Sequence, residues 1–69
     1  MGQKMIRIKL YKNKSVRDGI VWSVASVIGD GYIMPTSSIE RLFGRGERGV
    51  VIRNINLYFY GRGDYKIIG

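Results

Sequence analysis

Four arginines bracket one glycine-rich run. Arg41, Arg45, Arg48 and Arg53 flank or interrupt Gly44-Arg45-Gly46-Glu47-Arg48-Gly49. Glycines let backbone amides approach a phosphate, and guanidinium groups offer it forked donors. No Gly-Lys-[Ser/Thr] step follows, so the run is not a nucleotide P-loop. Its glycine content predicts a mobile loop. A second group interleaves cations with rings: Arg7, Lys9 and Tyr11 early in the chain, and Tyr58, Tyr60, Arg62 and Lys66 late in it. Tyrosine alternating with Lys and Arg on a strand face suits stacking on unpaired bases beside phosphate contacts.

Catalytic chemistry has little to work with. The chain has no histidine and no cysteine, which leaves Asp18, Asp30, Glu40, Glu47 and Asp64 as general bases. Asp18 and Glu40 stand where helix caps are expected, and Asp30 and Asp64 stand in turn sequences. No spacing spells a nucleophile, metal or cofactor motif, and the usual zinc sites and disulfides are excluded. A non-enzymatic protein without cofactor is expected.

The totals point the same way. Sixty-nine residues make one basic domain, residues 1–69, near the lower size limit for a self-sufficient core. A homo-oligomer is one way for so small a core to gain stability. Twelve Lys and Arg against five Asp and Glu give +7, a field that favours polyanions. No apolar run reaches the roughly 18 residues of a membrane span, and no secretory leader opens the sequence. A cytoplasmic location is the default expectation. Met1 to Lys4 reads as a loose terminus.

The elements that must position these residues follow from periodicity. Met5 to Tyr11 alternates, with Ile6, Ile8 and Leu10 on one face and Arg7, Lys9 and Tyr11 on the other, which predicts a half-buried strand. Lys12-Asn13-Lys14 reads as a polar connection. Ser15 to Ile28 is rich in β-branched residues, yet Val16, Ile20, Val21, Val24, Val27 and Ile28 gather in one arc at 100° per residue. Ser15 to Asp18 resembles a capping box, and Gly29 can close the end. The pattern predicts a helix; the alternative is a strand that closes a hairpin at Gly29-Asp30-Gly31. On the helix, Trp22 lies opposite the apolar arc and is a candidate protein contact.

Tyr32 to Met34 predicts a short extended piece. Ser37 to Glu40 is a capping-box sequence for a short helix that Gly44 stops. Gly49 to Ile68 reads as a β-hairpin about Gly61-Arg62-Gly63, in which Leu57 and Phe59 face the core and Tyr58, Tyr60, Arg62 and Lys66 face away.

The expected fold is therefore α+β, strand–helix–short helix–strand–strand. A three-stranded antiparallel sheet should pack Ile6, Ile8, Leu10, Ile55, Leu57, Phe59 and Ile67 on the helix; a small all-β barrel is the alternative. The expected function is a non-catalytic nucleic-acid-binding module using Arg41, Arg45, Arg48, Arg53, Arg7, Lys9, Tyr11, Tyr58, Tyr60, Arg62 and Lys66. The competing expectation is a small interaction or inhibitor protein that docks on a macromolecular partner through Trp22. A phage or mobile-element origin would suit its size, although no residue signals one.

Overall fold

The computed structural model describes residues 5–17, 19–29 and 31–69. The cap expected at Asp18, the turn expected at Asp30 and the loose Met1 to Lys4 lie outside the described residues. The chain runs β1 (Ile6–Ser15), β2 (Gly19–Gly29), β3 (Tyr32–Ile33), α1 (Thr36–Phe43), β4 (Arg45–Gly46), α2 (Arg48–Phe59) and β5 (Tyr65–Ile68). The sheet is mixed and has five strands in the order β3-β2-β1-β5, with β4 on the far edge of β2 beside Trp22 and Ser23. It does not close into a barrel. The α+β class holds; the expected layout does not.

The largest correction is Ser15 to Ile28, which is strand β2 and not a helix. It pairs antiparallel with β1 from Arg7↔Ile28 to Ser15↔Gly19. Its β-branched residues favour a pleated strand over a helix, where their χ1 freedom is lost. A β-bulge explains the helical appearance. Lys9 pairs with Ser26 and Leu10 with Val24, so Ala25 is the extra residue. Trp22, Val24 and Val27 therefore share one side at spacings of two and three, which imitates the spacing of a helix face. The presumed capping serine also has another job: Ser15 Oγ accepts the backbone N–H of Arg17 at 3.2 Å, within the hairpin loop. The alternative reading was right about Gly29, which ends β2 and pairs with Tyr32 of β3.

The second correction is the expected hairpin at Gly49 to Ile68. Its first half is helix α2, and its second half, β5, pairs parallel with β1 through Ile6↔Tyr65 to Lys9↔Ile68. The sequence alternates weakly here, but Val51, Ile55 and Phe59 recur every four residues and all are buried. Leu57, expected in the core, is 71% exposed. A strand would place Arg53 and Leu57 on the same face as Val51, Ile55 and Phe59; the helix turns both away from the sheet, where they are exposed, and keeps the three large side chains on it.

The short helix is where it was expected, starting two residues earlier. Its N-cap is Pro35, with no side-chain cap bond, so Ser37 does not cap it. Ile39 and Phe43 are buried, and Gly44 ends it at φ 63. The expected mobile glycine loop is structured instead: Arg45 and Gly46 form β4, and Arg48 opens α2.

Both helices lie on one side of the sheet. Ile8, Leu10, Val24 and Val27 from the strands meet Ile39 and Phe43 of α1 and Val51, Ile55 and Phe59 of α2, with Met34 closing the cluster. Phe43 and Phe59 stack at 6.1 Å between ring centroids, and Tyr58 meets Phe43 edge-on at 5.7 Å. Asn54 Nδ2 donates to the Phe43 carbonyl at 3.0 Å, which ties α2 to the end of α1. The molecule measures 47 × 20 × 19 Å, because the β1–β2 ribbon continues past the helices.

Candidate nucleic-acid interface

Strand register decides which side chains share a face, because directly paired residues point the same way. Ile8 and Leu10 point to the helices, so Arg7, Lys9 and Tyr11 point away from them. Arg7 pairs with Lys66 on one side and Ile28 on the other, and Ile28 pairs with Ile33. One row across the sheet therefore reads Lys66, Arg7, Ile28, Ile33. Lys9 stands between Ile68 and Ser26 in the next row. Tyr11 pairs with Ser23, and Ser23 pairs with Arg45 of β4, which makes a third row.

This face has no cover among the described residues. None of its side chains belongs to the buried core, and Arg7, Lys9, Arg45 and Lys66 are all exposed. Tyr11 is 54% exposed, with its ring beside the small Ser23. Rows lie about 6.6 Å apart along a strand, and neighbouring strands about 4.8 Å apart. Four cations and one ring thus occupy a patch on the order of 15 Å across, ringed by Ile28, Ile33 and Ile68. Among the described residues, two acidic side chains adjoin these strands: Glu47 follows β4, and Asp64 precedes β5, its carbonyl accepting the Ile6 N–H at 3.1 Å.

The remaining residues expected in the site are elsewhere. Arg41 is exposed in the last turn of α1. Arg48 opens α2, lies 5.3 Å from the Trp22 ring and donates to the Gly69 carbonyl at 2.9 Å. Arg53 and Tyr60 are exposed on the flank of α2. Arg62 folds back on the end of α2: its Nε donates to the Tyr58 carbonyl at 2.6 Å, and its guanidinium lies 4.5 Å from the Tyr58 ring centroid. That contact satisfies one of the open carbonyls at the helix end. Tyr58 is half-buried against Phe43 and Phe59, so it and Tyr60 are not on a sheet face as the hairpin register required.

Trp22 is also placed differently from the helical expectation. It is half-buried on the helix side of the sheet, with Lys12 at 5.9 Å and Arg48 at 5.3 Å from its ring. It anchors the root of the projecting ribbon rather than forming an open contact. Sequence reasoning missed the ribbon itself, which carries Lys12, Lys14 and Arg17, all exposed. No local signal marks it: Lys12, Asn13 and Lys14 are all polar, so the alternation in the sequence stops at Tyr11 although strand β1 continues to Ser15.

No helix among the described residues is long and apolar enough to cross a membrane. In comparison with known proteins, no family model, curated protein or solved structure gives a significant match.

Proposed function

We propose that this chain is a non-catalytic binding module for single-stranded nucleic acid, and that the uncovered sheet face is its platform. The observation that carries the reading is the register. It gathers Arg7, Lys9, Lys66 and Arg45 around Tyr11 on one face, although these residues span almost the whole sequence. A phosphate chain crossing the strands meets cations at intervals, and a splayed base finds an exposed ring to stack on. An open sheet suits a single strand better than a duplex, whose bases are already stacked. The net charge of +7 supplies long-range attraction. Arg41, Arg48, Arg53 and Arg62 contribute to that field, not to the platform.

Fluorescence anisotropy with a labelled single-stranded oligonucleotide tests this across a salt series. Four phosphate contacts on a single strand give a log–log slope of roughly −2.8. Alanine at Arg45 and Lys9 together should reduce the slope by about 1.4, while alanine at Arg53 should leave it unchanged. Absence of binding at low salt, or equal effects from Arg53 and Arg45, would sink the proposal.

A further inference from the structure

Beyond Tyr11 and Ser23 the two longest strands run on as a free ribbon. Lys12 pairs with Trp22, Asn13 with Val21, Lys14 with Ile20 and Ser15 with Gly19. None of residues 12–17 and 19–21 belongs to the buried cluster or packs against it. From Tyr11 to Ser15 the ribbon advances about 13 Å. A two-stranded ribbon by itself is marginally stable in water. This one is fixed at its root, where Trp22 packs on the core with Lys12 at 5.9 Å and Arg48 at 5.3 Å from its ring.

The chemistry of the ribbon is that of a polyanion contact. Lys12, Lys14 and Arg17 are all exposed. The single acidic residue between Met5 and Gly29 in the sequence is Asp18, which lies outside the described residues. Val16 at the tip is fully exposed and Ile20 is 54% exposed. By alternation, Asn13 continues the face of Tyr11, while Lys12 and Lys14 point to the other side. At the root a cleft of about 620 Å³ opens beside the edge of β2, with Asn13 and Lys14 on the ribbon wall and Arg45 and Glu47 on the β4 wall. Arg45 also belongs to the open sheet face, so this cleft joins the sheet face to the ribbon.

We infer that the ribbon is a duplex-binding arm, which enters the major groove of a double helix adjoining the single strand on the sheet. The inference rests on the platform reading above and names its ligand: a duplex with a single-stranded tail. The major groove is about 12 Å wide and about 8.5 Å deep, and it admits a two-stranded ribbon. The arm is longer than the groove is deep, so it spans the groove while both helices stay outside. Lys14 and Arg17 then stand beside the phosphates of the groove walls. Asn13 carries the amide that pairs with an adenine edge, and Val16 and Ile20 offer the apolar contact that a thymine methyl accepts. Lysines along the ribbon discourage the addition of a protein strand, which favours a nucleic acid over an extended peptide there. Because the arm and the platform share β1 and β2, the second contact is made within one complex and adds to the first.

Fluorescence anisotropy across a salt series tests the arm with three probes: a single strand, a blunt duplex, and that duplex carrying the single strand as a tail. The wild type should bind the tailed duplex about tenfold more tightly, or better, than either simpler probe. Lys14→Ala combined with Arg17→Ala should remove most of that preference. It should also lower the log–log slope on the tailed duplex by about 1.8 and leave the single-strand slope unchanged. Arg41→Ala combined with Arg53→Ala removes the same charge elsewhere and should keep the preference. All four side chains are exposed, so both variants should retain the wild-type circular dichroism spectrum. Single-strand binding without a preference for the tailed duplex overturns the arm and leaves the platform standing. So do equal losses from the two double variants. Ribbon-dependent duplex binding without single-strand binding overturns the platform instead, and with it the tailed duplex as ligand.

Discussion

Deleting Ala25 from the middle of β2 should leave the protein folded. The residue is the insertion of the β-bulge: Leu10 pairs with Val24 and Lys9 with Ser26, with Ala25 between and exposed. Without it, Ser26 follows Val24 directly, and every remaining pair keeps its partner and its face. Val24 and Val27 stay buried. The cost is the straightening of β2 where α1 spans from β3 to β4, and the loss of the bulge's local twist, which we put at about 1–2 kcal/mol. Deleting Lys9 makes the useful contrast. It puts Ile8 beside Leu10, so these two fully or nearly fully buried side chains cannot both face the helices. Either Arg7 turns inward, or Tyr11 takes the place of Leu10. Turning one large aliphatic side chain outward costs about 1.5–3 kcal/mol, and an unpaired inward arginine costs several more. A domain of this size has on the order of 3–10 kcal/mol in total. Urea titrations followed by circular dichroism would separate the two: a two-state curve for the Ala25 deletion and little or no folded baseline for the Lys9 deletion. Comparable losses in both, or an unfolded Ala25 deletion, would refute the bulge argument.

Other substitutions follow from the same geometry. Leu57→Ala should cost less than about 1 kcal/mol in dilute solution, because its side chain is largely exposed, whereas Ile55→Ala two residues earlier should cost about 2–5 kcal/mol. Gly44→Ala should cost about 1–3 kcal/mol from backbone strain alone, since φ is 63 and ψ −155 there and no atom crowds the added carbon; thermal melts give the value. Tyr11→Ala should weaken single-strand binding by roughly 1–3 kcal/mol with a nearly unchanged salt slope, because stacking releases no counterions. Trp22→Ala should cost an intermediate amount, roughly 2–3 kcal/mol, as its ring is half-buried and flanked by two cations; chemical denaturation measures it.

The parts of the fold that the sequence makes legible are those where one periodicity acts alone. The alternation of Ile6, Ile8 and Leu10 gives β1 and the outward direction of Arg7, Lys9 and Tyr11. Ile39, Phe43 and Gly44 mark α1 and its end. Misreading began where two signals overlap. In β2 the bulge at Ala25 shifts the apolar pattern out of step by one residue, and a pattern of twos and threes is hard to tell from one of threes and fours. In α2 the run of Val50, Val51 and Ile52 carries strand propensity, while the buried positions follow a four-residue period. The position of Lys66 beside Arg7 was legible only in part: the outward direction follows from alternation, but the parallel pairing with β1 is a long-range fact. The same holds for Arg45. Its neighbourhood with Tyr11 passes through Ser23, and no local pattern in the sequence connects the three.

The pairing of β5 with β1 has a consequence for how the molecule is made. β1 lies second from one edge of the sheet, between β2, which follows it immediately, and β5, which lies more than fifty residues downstream. A ribosome releases the β1–β2 ribbon early, and this local hairpin can pair at once. The Arg7-to-Lys9 stretch of β1 then keeps one unsatisfied edge until Tyr65 to Ile68 has emerged. Closure over that separation is entropically costly and comes late in folding. During that interval the nascent chain presents an unpaired strand edge, the feature that invites wrong pairing with other chains. Arg7 and Lys9 stand along that edge. Charged residues on an open edge discourage such pairing, so Arg7 and Lys9 guard this edge against other chains until β5 closes it.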